Sequence, residues 1–321
     1  YKNLGVSNTD IALYTSWLYL PWVIKPLWSP IVDLFRTKRF WIVGLQFVVG
    51  AAMAAVALTV PAPGFFKATL AMFWLLAFSS ATHDIAADGF YLLALKSHQQ
   101  AAFVGVRSTF FRLAMIAGQG GLVYLAGWLQ ETTGNVVHAW SIVFGVLAVL
   151  FVLVGIYHLF VLPKPASDHA VRDAKVTSGY FSAFGSFFRK KHIGVILGYL
   201  LLYRLAESQL LKLATPFMLD EREIGGLGLS TQQVGIFYGT IGVLALTIGG
   251  LIGGYVVSCY GLKRLLWPMI ITMHVPNAVF ILLALAQPEN SYLIGSAVAV
   301  EQLGYGFGFT AYMMYMMLVS E

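Results

Sequence analysis

Nine long apolar stretches, separated by polar connections, decide what this chain can fold into. A helix needs about 20 apolar residues to cross the hydrocarbon core of a bilayer. Backbone groups in lipid must be hydrogen-bonded internally, so helices are the spanning form that we expect. Charged residues make up only 11% of the 321 residues, whereas soluble domains contain about 25%. The sequence therefore predicts an all-α, polytopic membrane protein. The stretches cover residues 9–32, 40–60, 66–95, 101–130, 137–162, 193–219, 230–258, 264–286 and 291–320.

One connection is much longer than the others. Residues 163–191 are polar and of mixed charge, with five stretches before them and four after. We therefore expect an N-terminal half over residues 1–162, a connector over 163–191 and a C-terminal half over 192–321. The chain opens at Tyr1 and ends at Glu321, directly after an apolar stretch, which indicates a fragment of a longer protein.

The basic residues outside the stretches predict the orientation in the membrane, because cytoplasmic connections collect Lys and Arg. One set of connections holds only Lys2, Lys67 and Arg222. The central connector belongs to the other, more basic set and is therefore predicted to be cytoplasmic. Because this rule accounts for the net charge of +6, we expect no nucleic-acid partner. The basic set contains Arg36, Lys38, Arg39, Lys96, Lys164, Arg172, Lys175, Arg189, Lys190, Lys191, Lys263 and Arg264.

Several ionisable side chains lie inside the apolar stretches. A charge at the centre of a bilayer costs roughly 2.5 kcal/mol or more, so these side chains are not expected to face lipid. We expect them to face one shared aqueous interior, which is typical of a protein that carries a solute. They are Lys25, Arg107, Arg112, Arg204, Lys212, Asp84, Asp88, Glu207 and Glu301.

Asp84 and Asp88 are four residues apart and so share one helix face. Paired carboxylates in a low dielectric are good proton carriers. The alternative is a structural ion pair with a neighbouring cation, for which Lys25 and Arg112 lie at a similar depth. His83 points about 100° away from Asp84, so we expect it to pack or to form hydrogen bonds first.

The sixth stretch carries Arg204 and Glu207, which are three residues apart and are expected to neutralise each other. Lys212 lies at the depth of Glu301, and we expect those two to pair across the interior. So many cations indicate an anionic or zwitterionic solute, since the guanidinium fork of Arg suits a carboxylate. Further candidates for the solute path are the polar side chains Gln119, Gln302, Tyr203 and Tyr238.

The sequence has no pattern that is typical of an enzyme or of a metal protein. Its seven histidines lack ligand spacing, its single cysteine, Cys259, has no obvious base, and no phosphate-binding P-loop motif is present. We therefore expect no metal, no cofactor and no catalysis.

Two connections resemble the cytoplasmic G-x-x-x-D-R-x-G-R-K loop of the major facilitator superfamily. The first contains Asp33, Lys38 and Arg39, and the second, in the other half, contains Lys263 and Arg264. Paired loops at equivalent places indicate a duplicated transporter. The resemblance implies that the nine stretches are helices 2 to 10 of about twelve, and that these loops gate the path. It also implies that helices 4, 7 and 10, which carry most of the buried charges, line the cavity.

Several motifs within the stretches are similar to those of the AmpG-type muropeptide permeases. The family's L-P-x-x-x-K-x-L-W-x-P-x-x-D pattern matches residues 20–33, and S-x-x-Q-D-I-x-x-D resembles residues 80–88 except that His83 replaces Gln. Weaker similarities lie at residues 110–115, at 203–207 and at 301–308. They keep Arg112, Met115, Tyr203, Arg204, Glu207, Glu301, Gln302, Gly306 and Gly308.

The resemblance implies proton-coupled uptake of anhydromuropeptides, which are sugar-peptides, across the bacterial inner membrane by a monomer. Asp84 and Asp88 would be the functional pair. Lys25, Arg112, Arg204, Glu207 and Glu301 would line the path. The alternatives are a carrier of another anionic solute, such as an acetyl-CoA-like compound, a sugar or a peptide, and a membrane receptor that binds its ligand without moving it.

Overall fold

The computed structural model of the chain describes residues 1–95, 106–107, 109–170, 185 and 188–320. Much of the predicted connector and the start of the fourth stretch lie outside these ranges, as do Lys96, Arg172 and Lys175. The described residues form helices and no strand, which confirms the all-α fold. The helices are α1 (Asn8–Trp17), α2 (Leu20–Ile24), α3 (Ser29–Leu34), α4 (Lys38–Thr59), α5 (Phe65–Ala94), α6 (Thr109–Thr133), α7 (Val136–Val161), α8 (Ile193–Leu219), α9 (Thr231–Tyr260), α10 (Leu262–His274), α11 (Ala278–Ala286) and α12 (Ser291–Ser320).

Seven segments in the described ranges are long and apolar enough to cross a membrane, namely α4 to α9 and the α10–α11 segment over Leu262–Ala286. The first predicted stretch differs because it divides into α1, α2, α3 and a short 3-10 helix, Lys25–Leu27. Pro21, Pro26 and Pro30 cause this division, since proline lacks the amide donor that a continuing helix needs. The ninth stretch forms the unbroken α12. It is not among the seven segments, because Glu301, Gln302 and several glycines lower its mean hydropathy.

The helix contacts divide the chain into two compact units. Unit 1 comprises Tyr1–Ser108 and Leu129–Gly185, and unit 2 comprises Thr109–Trp128 and Ser186–Glu321. Most of α6 thus belongs to unit 2 by its contacts, although the sequence predicts a division at the connector.

Close backbone packing explains why α6 belongs with α9. Both helices contain a π-helical segment, Ile116–Leu122 in α6 and Gly235–Gly242 in α9. A Cβ atom placed on Gly239 would overlap the backbone oxygen of Gln119. Small residues allow such close approach between membrane helices.

Candidate functional site

The break in the first stretch positions Lys25 opposite α5 in unit 1. Lys25 begins the 3-10 helix that precedes Trp28. Its Nζ lies 2.7 Å from Oδ2 of Asp84, and both side chains are about one-third exposed, at 32% and 38%. The indole nitrogen of Trp28 donates a hydrogen bond of 3.2 Å to Thr82 on the same helix. The ion pair that the sequence offered for Asp84 is therefore present with Lys25.

A second cation, Arg107, completes this cluster. Its Nη2 forms an ion pair with Oδ1 of Asp88 and lies 3.9 Å from Oδ1 of Asp84. The guanidinium also lies 5.8 Å from the ring centre of Tyr91. Both carboxylates face the same cation because four residues bring side chains to one helix face. We call Lys25, Asp84, Asp88 and Arg107 the paired cluster.

Arg112, which the sequence offered as a partner for the aspartates, does not join the paired cluster. It belongs to unit 2, where its Nη2 lies 3.9 Å from the position of a Cβ on Gly250. Arg107 and Arg112 are only five residues apart in the sequence, so counting depth along the sequence cannot choose between them.

His83 lies beside a polar contact between two other helices of unit 1. Gln46 on α4 and His158 on α7 are joined by a side-chain hydrogen bond of 2.8 Å. Nε2 of His83 is buried and has no hydrogen-bond partner within the described part of the chain. The expectation that His83 packs before it does chemistry agrees with this position.

The first predicted gating loop is held together by charge. Asp33 and Lys38 form an ion pair. The carboxylate of Asp168 accepts hydrogen bonds from the backbone nitrogens of Lys38 and Arg39, at 2.7 and 3.0 Å. A carboxylate at this place satisfies amide donors that the first turn of α4 leaves open. Arg39 donates to the carbonyl oxygens of Leu159 and Leu162 at the end of α7. Lys263 and Arg264, in the second loop, are exposed.

Unit 2 contains a different kind of acidic site. Glu207 on α8 and Glu301 on α12 are 0% and 1% exposed. Oε2 of Glu207 accepts a long hydrogen bond of 3.4 Å from Asn277, and Oε2 of Glu301 accepts one of 2.9 Å from Gln302. The second oxygen of each carboxyl group is buried without a partner among the described residues. We call Glu207 and Glu301 the buried acids.

The guanidinium of Arg204 is directed to α12 rather than to Glu207, although the two residues are three apart on α8. Its Nη2 donates a hydrogen bond of 2.8 Å to the hydroxyl of Tyr305. Its Cζ lies 4.9 Å from the ring centre of Phe309 and 5.8 Å from that of Tyr312. Aromatic faces attract a guanidinium, so the rings of α12 hold it away from direct contact with Glu207. The predicted electrostatic attraction between Arg204 and Glu207 is present, but no ion pair between them is described, and Arg204 joins α8 to α12.

Oε2 of Glu301 accepts a hydrogen bond from its neighbour Gln302, and no ion pair between Glu301 and Lys212 is described. Tyr238 on α9 forms a hydrogen bond with Gln302 and interacts electrostatically with both buried acids. Tyr203 donates a hydrogen bond of 2.7 Å to the backbone oxygen of Gly308, and its ring stacks on that of Tyr312. Gln119 is exposed on α6. Tyr238 thus lies within electrostatic reach of both buried acids.

Sequence reasoning missed three contributors to these sites, Arg107, Asp168 and Asn277, and it did not pair Tyr305 with Arg204. Arg107 was visible as a charge within a stretch but received no partner. Asn277 reaches Glu207 because the 3-10 turn Val275–Asn277 interrupts the α10–α11 segment, and Pro276 was the signal for that interruption. Asp168 and Tyr305 act through contacts more than 100 residues away, which no local pattern reveals.

The comparisons with known proteins agree with the all-helical membrane fold. The Major Facilitator Superfamily profile matches residues 1–321. The anhydromuropeptide permease of Escherichia coli (strain K12) is 28% identical, over 99% of this chain and 63% of that protein. The putative transporter AmpG 4 of Rickettsia conorii is 26% identical, over 97% of this chain and 75% of that protein. This chain thus spans less than two-thirds of the length of the E. coli relative, and the predicted resemblance is confirmed.

A solved structure shares the fold at lower sequence identity. The crystal structure of a bacterial homologue of the human lysosomal transporter Spinster, in an inward-facing and unoccupied conformation, superposes with a TM-score of 0.53. It is 16% identical and is matched over 98% of this chain and 79% of that one. At this identity the likeness shows the fold alone, which is that of a multi-pass helical membrane protein.

Proposed function

We propose that this chain, which belongs to the Major Facilitator Superfamily, carries out proton-coupled uptake of anhydromuropeptides by alternating access. The relatives from E. coli and Rickettsia support a permease of this kind. Charged side chains within several membrane-crossing segments suit a carrier that works by alternating access.

The observation that carries this proposal is the paired cluster. Two carboxylates and two cations lie within or beside membrane-crossing segments of unit 1, joined by a 2.7 Å contact between Lys25 and Asp84 and by the ion pair between Arg107 and Asp88. Intramembrane ionisable groups that pair with one another mark ion and proton pathways. Their side chains are between 32% and 53% exposed, so they are not sealed inside unit 1.

Protonation gives this cluster two states. A proton that binds Asp84 or Asp88 removes the negative charge that holds Lys25 or Arg107. The released cation then binds a carboxylate of the peptide portion of the solute. Loss of the proton to the cytoplasm restores the ion pair and expels the solute. The membrane potential supplies about 2.3 kcal/mol per proton at 100 mV, so no bound cofactor is required.

The solute side of the path fits an anionic sugar-peptide. Arg204 lies over aromatic rings of α12 in unit 2, and a planar guanidinium binds carboxylates through two parallel hydrogen bonds. The surrounding rings offer apolar faces to a sugar. Other anionic solutes share part of this chemistry and serve as competitors in the test below.

We further propose that the protein resides in the bacterial inner membrane as a monomer, with residues 163–191 on the cytoplasmic side. The lopsided distribution of Lys and Arg among the connections supports this orientation. Reaction of cysteines placed at residue 164 and at residue 67 with an impermeant reagent, in right-side-out vesicles, tests it. Only the second position should react.

The test of function is solute uptake by the complete gene product in proteoliposomes. We expect labelled anhydromuropeptide to accumulate when an inward proton gradient is applied and to equilibrate without accumulation when the gradient is collapsed. Unlabelled acetyl-CoA, free sugars and free peptides should compete poorly. Accumulation that ignores the gradient would contradict proton coupling. The absence of exchange between internal unlabelled and external labelled solute would instead identify a receptor.

A further inference from the structure

The buried acids of unit 2 lack the counter-charges that the paired cluster has. Within the described ranges, no lysine or arginine nitrogen forms an ion pair with either Glu207 or Glu301. The two carboxyl groups are also close enough to interact with each other. Two like charges therefore share a site from which water is excluded.

The groups that face this site come from four helices. Glu207 interacts with Arg204 on its own helix and with Asn277, and Glu301 interacts with Gln302. Tyr238 on α9 interacts with both acids. Arg204 is the one cation in this set. It attracts Glu207 from beyond ion-pair distance, because its guanidinium is directed to Tyr305 and the rings of α12.

Two ionised carboxylates in these surroundings are not stable. Removing one ion from water costs several kcal/mol even after the protein relaxes, and a second negative charge nearby adds repulsion. Arg204 offsets one charge at most. When two carboxyl groups share a site, one of them retains a proton.

The hydrogen bonds fit the same conclusion. The amides of Asn277 and Gln302 each donate to one oxygen, Oε2, of one acid. Among the described residues, the Oε1 atoms of both acids are buried without hydrogen-bond partners. A proton on one of these oxygens removes a charge and supplies a donor where the protein provides none.

We infer that Glu207 and Glu301 together hold one resident proton at neutral pH, forming a proton-binding site in unit 2 that is distinct from the paired cluster in unit 1. The inference rests on the proposed function for the use of this proton in transport, while the presence of the proton follows from the geometry alone. A metal ion fits the site less well. Ions such as Ca²⁺ and Mg²⁺ take about six or more oxygen ligands, and the described residues hold no cluster of three metal-binding side chains.

Infrared spectroscopy of the purified gene product in lipid nanodiscs tests this site directly. At pH 7 we expect a carbonyl stretching band of a protonated carboxylic acid, which moves to lower frequency in D2O. The double variant Glu207→Gln/Glu301→Gln should lose the band, because the amides are isosteric but cannot be protonated carboxyls. Glu131→Gln is the matched control, since Glu131 is exposed, and it should keep the band.

Two outcomes overturn the inference: a wild-type protein without the band at pH 7, or a band that persists in the double Gln variant. If that variant fails to fold, Asp84→Asn/Asp88→Asn decides the question, because the band must survive there and its loss would assign the proton to the paired cluster. Sodium that removes the wild-type band would assign the site to a metal ion. The band does not depend on transport. A band without uptake therefore overturns the proposed function alone, and uptake without a band overturns this inference alone.

Discussion

The paired cluster and the buried acids differ in what compensates the negative charge of each carboxylate. In unit 1, Asp84 and Asp88 are partly exposed and touch Lys25 and Arg107. In unit 2, Glu207 and Glu301 are fully buried, and the single nearby arginine is directed to aromatic rings. Along the sequence both sites look alike, as two acids with basic residues close by.

The negative charge of an intramembrane acid is therefore compensated in one of two ways. A cation compensates it where water reaches the site, and the pair can open and close. Where water does not reach the site, a bound proton neutralises the acid. The acid then stays neutral when its helix moves. The two mechanisms predict different responses to the same change from acid to amide.

The largest expected effect is on transport through the paired cluster. Asp88→Asn and Asp84→Asn should each lower proton-driven uptake by at least about 100-fold, the lower end for loss of a proton-transfer group. Each amide leaves its cation permanently released. Uptake in proteoliposomes measures this, with membrane insertion checked in the same preparations. Asp10→Asn, at an exposed position, is the control, and normal uptake by both cluster variants would remove the contrast between the sites.

A smaller effect is expected where Arg204 meets the rings of α12. Arg204→Met should raise the half-saturating solute concentration about tenfold, since a charge-assisted hydrogen bond contributes about 1.5–3 kcal/mol. Arg204→Lys keeps the charge but loses the planar stacking, so its value should lie between those of the wild type and the Met variant. Equal values for Lys and Met would show that planarity matters more than charge. Unchanged values for both would place Arg204 off the solute path.

The strength of the contact between Lys25 and Asp84 is a further test of the difference between the paired cluster and the buried acids. A double-mutant cycle with Lys25→Met and Asp84→Asn should give a coupling free energy of about 1 kcal/mol, the upper end for a partly exposed pair. Thermal unfolding in detergent at several salt concentrations measures it. The coupling should fall as salt rises. A coupling that is large and independent of salt would mean that the cluster is as dry as the buried acids.

The smallest expected effect is on the stability of unit 2. Arg204 attracts Glu207 but not Glu301, so we expect the resident proton on Glu301. Glu301→Gln should then change the free energy of unfolding by less than about 1 kcal/mol, because it replaces a neutral acid with a neutral amide of the same shape. Glu301→Leu leaves the Gln302 amide without its acceptor and should cost about 1–3 kcal/mol. Chemical denaturation of the two variants checks the order. A large loss for the Gln variant would indicate that Glu301 is ionised in the folded protein.

The sequence was sufficient for the helical membrane fold, because hydrophobic length specifies the spans. For Asp84 it offered Lys25 and Arg112 alike at a similar depth, and the structure identifies Lys25 as the partner. The sequence was also insufficient for Arg204 and Glu207, because side chains on α12, about 100 residues away, decide where the guanidinium points. Sequence spacing identifies which groups are within reach of one another, but competition among partners from other helices determines which contact forms.

Helix division at prolines was a second limit. The apolar run over residues 9–32 satisfies the length criterion, yet its three prolines divide it, and that division is what turns Lys25 towards Asp84. The same holds for Asn277, which reaches Glu207 from the turn that includes Pro276.

The close contact between the π-helical segments of α6 and α9 limits how this protein can be modified. With no room for even one methyl group at Gly239, fluorescent labels, cross-linking cysteines or bulky unnatural amino acids introduced along that contact would separate the two helices. Gly254, with no atom within 4 Å of an added Cβ, lies on the same helix and accepts such groups. Reporters intended to follow conformational change in α9 therefore belong near its C-terminal end, where a large probe leaves the packing intact.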